Sequence, residues 1–187
     1  SLPNVGVVSR IGAGFDTGTT AQIALSITVS RNVFKNVHVA GMGDAASAQD
    51  AGSRCIKIAT GGENLFEDCV IGIDTVTRSA ANANVEFASG TTRNTFRRCH
   101  FPIYTDDATA TAYVGSAAAC MDRSQVFEDC LFLNAIESGS TTVTNLGTLA
   151  ASAGGLCLFN NPCLVGISEF GDATAKTQIY VCGGTPA

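Results

Sequence analysis

The carboxylates of Asp106 and Asp107, in the segment YTDDAT, and the imidazole of His100 are the side chains of this sequence that could carry out acid–base chemistry. Hydrolysis of a glycosidic bond needs two carboxyl groups, one on each side of the bond and at a set separation. Adjacent aspartates in a loop rich in Ser and Thr also serve as simple turn formers. We therefore expect no catalytic residue in this chain, and keep Asp106, Asp107 and His100 as fallback candidates in case it is an enzyme.

The composition argues against several other kinds of site. The chain has 187 residues, of which 16 are acidic and 11 are basic, and its net charge of −5 gives no basic surface for nucleic acid. No C-x-x-C motif occurs and the two His lack metal-ligand spacing, so neither a metal nor another cofactor is expected. No apolar run is long enough to span a membrane, and no signal-peptide pattern is present. The chain opens at Ser1 without a methionine, so we expect a start that was processed, trimmed or left out.

The elements that would position any such side chain follow from an internal repeat. Five segments share one pattern: NVFKNVHV (32–39), NLFEDCVIGI (64–73), NTFRRCHFPI (94–103), QVFEDCLFLN (125–134) and LFNNPCLVGI (158–167). Their phenylalanines are Phe34, Phe66, Phe96, Phe127 and Phe159, spaced 32, 30, 31 and 32 residues apart. A repeat of this length indicates a solenoid in which each unit stacks on the last.

Each unit contains short runs that alternate with the period of a strand, as in Ile56-Lys57-Ile58, Val85-Glu86-Phe87 and Ile71-Gly72-Ile73. Helical periodicity is absent, which argues against ankyrin and tetratricopeptide units, and the ladders of leucine-rich and hexapeptide repeats are missing. Coils of two or three short strands stacked as parallel sheets are the remaining arrangement, and parallel crossovers are right-handed almost without exception. The sequence therefore predicts an all-β fold, a right-handed parallel β-helix of about five coils, with residues 1–187 as one domain.

The N-x-F-x-x-C pattern of the units at 64 and 94, with its variant at 125, resembles the coils of the pectin-lyase-like β-helix superfamily, over about residues 23–182. That superfamily includes polysaccharide lyases, hydrolases, phage tail spikes and other virion proteins, so the resemblance implies the fold more than a function. The G-H-G, R-x-K and W-x-D-H segments of its enzymes are missing here. The chain has no Trp and only three Tyr, which leaves little surface for stacking against sugars.

Stacked coils bring equivalent residues together about 4.7–4.9 Å apart. We expect the five phenylalanines to form one interior stack. A second stack is predicted for Cys69, Cys99, Cys130 and Cys163, with Pro162 read as an insertion in the fifth unit, and Cys55, Cys120 and Cys157 are assigned to a third interior face. In-register cysteines fit disulfide geometry poorly, so free thiols that suit a reducing compartment are favoured over an extracellular disulfide framework.

Polar residues of the unit are also given structural roles. The amides of Asn32, Asn64 and Asn94, with Gln125 in the fourth unit, can bond to one another at a turn, as is common in that superfamily. The two residues after each Phe read Lys35-Asn36, Glu67-Asp68, Arg97-Arg98, Glu128-Asp129 and Asn160-Asn161. Since the charge alternates between coils, Arg97 and Arg98 are interpreted as struts in a charge ladder with Lys35, Glu67, Asp68, Glu128 and Asp129, and not as a clamp.

Four weakly charged loops occur at the same phase of the repeat, and we expect them on one side of the solenoid, packed against another protomer or a protein surface: 41–53, 74–84, 105–119 and 137–155. With few coils and no catalytic motif, the favoured hypothesis is a non-enzymatic phage structural protein, a trimeric β-helix that decorates a capsid or forms a spike. The expected partners are two copies of itself and a capsid or other virion protein, without nucleic acid or membrane, in a virion assembled in the host cytoplasm. The alternatives are a spike that binds a receptor or glycan, and a polysaccharide lyase or hydrolase.

Overall fold

The computed structural model describes residues 9–12, 21–41, 52–78, 82–105, 111–117, 120–136, 144–150, 154–167, 169–171 and 178–183. The described residues form strands, turns and bends without any helix, so this part of the chain holds no helix that could cross a membrane. The predicted all-β class is confirmed.

In the described part of the chain, eighteen strands make three parallel sheets of six strands each. The first sheet contains β1 (Ser9–Gly12), β4 (Val37–Gly41), β7 (Val70–Ile71), β10 (His100–Thr105), β13 (Leu131–Ile136) and β16 (Cys163–Val165). The second contains β2 (Ile23–Ile27), β5 (Arg54–Ile58), β8 (Ala83–Phe87), β11 (Thr111–Ser116), β14 (Thr144–Thr148) and β17 (Glu169–Gly171). The third contains β3 (Val33–Lys35), β6 (Leu65–Glu67), β9 (Thr95–Arg97), β12 (Ser124–Glu128), β15 (Leu156–Asn160) and β18 (Ile179–Cys182).

The chain visits the three sheets in rotation, and each of the strands β1 to β15 pairs in parallel with the strand three places further along the chain. This connectivity is a β-solenoid, which confirms the predicted parallel β-helix. Phe34, Phe66, Phe96, Phe127 and Phe159 mark five successive coils and therefore four complete turns. The right-handed path stays a prediction.

The core lies between the three sheets, because alternate residues of each strand point inward. In β5, Ile56 and Ile58 are buried, while Lys57 between them is partly exposed. Cys55 is on the other face of β5 and is buried there by further parts of the chain, since its Sγ lies 3.6 Å from the Ala40 carbonyl oxygen and 3.7 Å from Arg78. The predicted strand through Ile71-Gly72-Ile73 is wrong beyond its first residue, since β7 ends at Ile71. Gly72 has a φ of 122°, and a Cβ there would collide with the carbonyl oxygen of Pro102 on the next coil. Glycine at this position therefore ends the strand and lets the two coils approach.

The turn from the third sheet into the first is short and has the same backbone in every coil. Its residues with left-handed φ, between 50° and 56°, are Asn36, Asp68, Arg98, Asp129 and Asn161. Asn and Asp tolerate this conformation better than other residues with a side chain, which explains four of the five. Arg98 is the exception and must be held there by other contacts.

Candidate functional site

The fallback catalytic residues are not brought together by the described part of the chain. Asp106 and Asp107 lie outside the described residues. His100 begins β10 and is half-buried, its burial lowers its pKa, and its Nδ1 has no hydrogen-bond partner among the described residues. Among those residues no group of three or more His, Cys, Asp or Glu side chains is placed to hold a metal ion.

The five phenylalanines of the repeat form one continuous stack inside the third sheet. Neighbouring ring centroids are 4.8, 4.6, 4.7 and 4.7 Å apart along the stack, and the ring planes are within 9° of parallel. Four of the rings are fully buried, whereas Phe34 at the N-terminal end is half-buried. A second stack, of Phe101 on Phe132 at 4.7 Å, lies in the first sheet and was missed because only two units carry it.

The amide ladder runs from Asn32 to Gln125. In each step one side-chain oxygen accepts both the backbone N–H and the side-chain NH₂ of the preceding coil. The Asn64 Oδ1 accepts at 3.0 and 2.9 Å from Asn32, the Asn94 Oδ1 at 3.2 and 2.8 Å from Asn64, and the Gln125 Oε1 at 3.1 and 2.9 Å from Asn94. The ladder stops at Gln125, because the next coil has Cys157 in register and Gln125 Nε2 turns to the Thr91 carbonyl.

Three of the four cysteines assigned to the second stack are buried: Cys69, Cys99 and Cys130. Their Sγ atoms donate to carbonyl oxygens of the preceding coil, those of Phe34, Phe66 and Phe96, at 3.5, 3.5 and 3.4 Å. Burial is the main cause that raises the pKa of Cys99, and hydrogen bonding with Cys99 followed by burial raises that of Cys69. These thiols behave as small core side chains.

The assignment of Cys163 to this stack is wrong. Cys163 is exposed and pairs in register with Leu131, the residue after Cys130. Pro162 is buried at the stack position, three residues after Phe159, so it replaces a cysteine and is not an insertion. Cys55, Cys120 and Cys157 are fully buried, but the prediction that they share one interior face is wrong, because Cys55 lies in β5 of the second sheet and Cys157 in β15 of the third. Cys182 is exposed. None of the eight cysteines forms a disulfide in the structure.

The charges beside the phenylalanine stack form ion pairs between coils. Arg97 Nε lies 2.6 Å from Glu128 Oε2 on the following coil, whereas Arg98 reaches back to Glu67 at 2.8 Å and Asp68 at 2.8 Å. Lys35 Nζ lies 2.7 Å from the same Glu67, and Asp129 accepts from Asn161 Nδ2 at 2.8 Å. The arginines therefore bridge in opposite directions, which the sequence did not indicate.

These contacts change the ionisation of the carboxylates. Hydrogen bonds from Lys35 and Arg98 hold the pKa of Glu67 below its ordinary value, and Arg98 does the same for Asp68. The pKa of Arg98 is raised by these two acids. If the coils were displaced by one repeat, acidic residues would stack on acidic residues, so the charge ladder specifies the register of the coils. Each charged residue of the ladder named above contacts a side chain of a neighbouring coil.

Two further rows of ion pairs were missed by the sequence analysis. Glu63 bridges Arg31 at 2.7 Å and Arg93 at 3.1 Å, at the residue before each ladder asparagine. Glu86 bridges Arg54 at 2.7 Å and Lys57 at 3.1 Å on the second sheet. The sequence contains a signal for both rows, because these opposite charges are also about one repeat apart.

Among the described residues, Arg78 is the largest side chain that is fully buried, and nothing in the sequence marked it. Its Nη1 donates to Asn84 Oδ1 at 2.8 Å, and its Nη2 lies 3.7 Å from Cys55 Sγ. Burial lowers the pKa of Arg78, and burial also raises the pKa of nearby Tyr113, whose hydroxyl has no hydrogen-bond partner among the described residues. This polar group lies inside the solenoid, away from the charge ladder.

A shallow groove crosses the last three strands of the third sheet at their N-terminal ends. The described residues that line it are Arg123, Ser124, Gly154, Gly155, Leu156, Gln178 and Tyr180, and the space over it, about 650 Å³, is wide open to solvent. It is called the C-terminal groove below. It combines a cation, an amide, a hydroxyl and an exposed aromatic ring, a set that no motif in the sequence had indicated.

Comparison of the chain with protein-family models, curated proteins and solved structures returned no significant match. The resemblance to the pectin-lyase-like superfamily therefore stays an interpretation of the repeat units, while the parallel β-solenoid is established by the strand pairing.

Proposed function

We propose that this chain is a non-enzymatic structural protein of a virion, a β-solenoid that decorates a capsid or forms a short spike. The observation that carries the proposal is the use of its charged and amide side chains. The charge ladder and the amide ladder hold coil to coil, as expected of a stiff rod whose function is mechanical. A fold of this kind hosts many functions, so the site chemistry and not the fold supports the proposal.

Association of copies is supported by exposed apolar side chains on the first and last described coils. Large apolar side chains are exposed on the first coil at Val29 and Val33, and near the last strands at Phe170 and Tyr180. Strands at the edge of a sheet have unpaired backbone groups that natural proteins cover or blunt. A closed ring of copies provides cover without open-ended growth, and the number three comes from the resemblance to spike-like proteins.

Assembly in a reducing host cytoplasm is supported by the thiols. Six cysteines are buried without disulfides, and Cys69, Cys99 and Cys130 use Sγ in hydrogen bonds to the backbone. Cysteines that remain thiols are typical of cytosolic proteins, because disulfides persist mainly in oxidising compartments. A virion protein that assembles before cell lysis would fold under these conditions.

Light scattering at micromolar concentration tests the association directly. We expect a mass three times that of one 19.2 kDa chain. Val33→Lys and Phe170→Lys should lower this mass if the exposed ends take part, and Val126→Thr, a partly exposed position within the third sheet, is the control that should not. A stable monomer that binds no capsid shells would contradict the proposal.

The absence of catalysis is tested separately. Assays for new reducing ends and for unsaturated products over a panel of polysaccharides should be blank with the full chain. Activity that is lost in Asp106→Asn or Asp107→Asn would show that the chain is an enzyme.

A further inference from the structure

Arg78 is a buried cation whose backbone is fixed between two coils. It is 1% exposed, its backbone N–H donates to the Tyr104 carbonyl at 2.8 Å, and it forms a bridge with Thr105. A guanidinium stays protonated in proteins, so its burial costs free energy unless a negative charge lies beside it. In the described part of the chain no ion pair joins Arg78 to a carboxylate, and its side-chain hydrogen bonds go to an amide and a thiol.

One residue column of the second sheet surrounds the Arg78 guanidinium. The register of β5, β8 and β11 places Cys55, Asn84 and Tyr113 opposite one another on three successive coils, and all three are fully buried. Arg78 Nη1 donates to Asn84 Oδ1 at 2.8 Å, and Asn84 Nδ2 donates to the Ile71 carbonyl at 2.6 Å. The amide is therefore fixed with its oxygen toward the cation, and it supplies a dipole but no negative charge.

The Cys55 thiol has the geometry of a neutral group. Its Sγ lies 3.7 Å from Arg78 Nη2 and 3.6 Å from the carbonyl oxygen of Ala40, to which the thiol donates. A thiolate has no proton to give and would face the negative end of the carbonyl dipole. The carboxylate on β8, that of Glu86, is paired with Arg54 at 2.7 Å. The positive charge of Arg78 is thus left without a counter-charge among the described residues.

The hydroxyl of Tyr113 is a second donor that lacks an acceptor. Its ring packs edge-on against Phe132, with the ring centroids 5.3 Å apart, and its oxygen is buried without a hydrogen-bond partner in the described part of the chain. Burial raises the pKa of this hydroxyl more than the Arg78 charge lowers it, so the proton stays on the oxygen. A buried cation and a buried O–H donor at neighbouring positions are the groups that recognise an anion.

We propose that Arg78 and Tyr113 bind a small inorganic anion, of the size of chloride, inside the protein. The guanidinium supplies the charge and N–H donors, and the hydroxyl supplies an O–H donor. Because the residues of the cluster are at most 1% exposed, the site admits a halide and excludes bulkier anions such as phosphate or gluconate. The anion neutralises Arg78 in surroundings where water does not screen the attraction. The inference does not depend on the proposed virion function, since it requires neither a second copy nor a capsid.

Thermal unfolding of the full chain at constant ionic strength tests the proposal, with chloride or bromide replacing gluconate. An anion that binds only the folded chain raises the melting temperature with the logarithm of its concentration, and we expect a rise on the order of 5 °C for a hundredfold increase in halide. Arg78→Met should abolish this rise and should still fold, because an apolar side chain of similar volume can replace a buried charge. Tyr113→Phe, which removes only the hydroxyl, should weaken the rise.

Arg123→Met is the control variant, because Arg123 lies in the C-terminal groove and its side chain is 61% exposed. It should keep the full response to halide. An anomalous scattering peak beside the Arg78 guanidinium in crystals grown with bromide would support the proposal directly. The proposal is overturned if the melting temperature does not respond to halide, if Tyr113→Phe responds as the unaltered chain does, or if Arg123→Met loses the response. A thiolate absorbance that disappears in Cys55→Ser would also overturn it, since the counter-charge would then be the thiolate.

Discussion

Phe96 and Arg98 lie two residues apart in one coil, yet the interior stack and the outer charge ladder to which they belong are held by different physics. Phe96 is fully buried between Phe66 and Phe127, with centroids at 4.6 and 4.7 Å. Arg98 forms ion pairs of 2.8 Å with both Glu67 and Asp68, but its side chain is 48% exposed. Both rows repeat with the coil, but only the outer ladder alternates in charge and can therefore distinguish one coil from the next. Only the interior stack is shielded from water, so we expect it to contribute most of the stability. The outer ladder should mainly determine which coil pairs with which.

The largest expected effect is that of breaking the interior stack. Phe96→Ala removes a ring from the middle of the stack and leaves a cavity, so it should lower the free energy of unfolding by about 3–5 kcal/mol. Phe34→Ala is the matched control, because Phe34 is half-buried and has one stacked neighbour. Chemical denaturation measures both. Equal losses in the two variants would show that position within the stack does not matter.

A smaller loss is expected from breaking the amide ladder. Asn94→Ala removes the oxygen that accepts from the Asn64 backbone N–H and NH₂, and it leaves the Gln125 oxygen with one donor, the backbone N–H of residue 94. Each buried polar group left without a partner costs about 1–3 kcal/mol, although water can enter and reduce this. Asn32→Ala, at the partly exposed end of the ladder, should cost less. A denaturant titration in which Asn32→Ala loses more stability than Asn94→Ala would contradict the ladder.

The outer ladder should give a small effect that depends on salt and pH. Arg98→Gln should lower the melting temperature modestly, and the difference from the unaltered chain should shrink in high salt, because exposed charges are screened. Arg98→Asn should be less harmful, since Asn tolerates the φ of 50° at this turn. Calorimetry in low and high salt distinguishes the two contributions, and identical behaviour of both variants would exclude a backbone effect.

The pH dependence of the same ladder has a definite sign. The folded pKa values of Glu67 and Asp68 lie below their ordinary values of 4.5 and 3.8, so their contribution is fully present above those values and is lost as the pH falls through the lower folded ones. As the pH falls from about 5 through the range in which carboxyl groups titrate, the unaltered chain should therefore lose more stability than Arg98→Gln. A larger acid loss in Arg98→Gln would reverse the expected sign.

Thiol labelling sharpens the comparison of inside and outside without altering stability. Cys163 and Cys182 are exposed and should react with an alkylating agent in the native protein, while the six buried cysteines should react only after unfolding. Titration of the unfolded, non-reduced chain should return all eight thiols. The double variant Cys163→Ser with Cys182→Ser should show no fast reaction. A count near zero in the unfolded chain would mean that the cysteines are paired.

The solenoid could be predicted from the sequence because its strongest signal is local and repeated. One phenylalanine at a spacing of 30 to 32 residues, with strand alternation around it, leaves few other folds. The alternation of charge between coils likewise predicted the outer ladder. The ion-pair partners of Arg97 and Arg98 could not be predicted, because the two residues are adjacent in sequence and each has acidic residues one repeat away on both sides.

The sequence by itself determined the repeat, the strand class and which residue types recur at the core. The tertiary structure decided where single residues depart from the repeat. Pro162 takes the buried position and moves Cys163 outside, Arg78 enters the interior, and Arg123, Gln178 and Tyr180 meet in one groove. The physical reason is that a repeat averages over coils, whereas burial and contact at one position depend on the side chains of the coils above and below it, about 30 residues away in sequence.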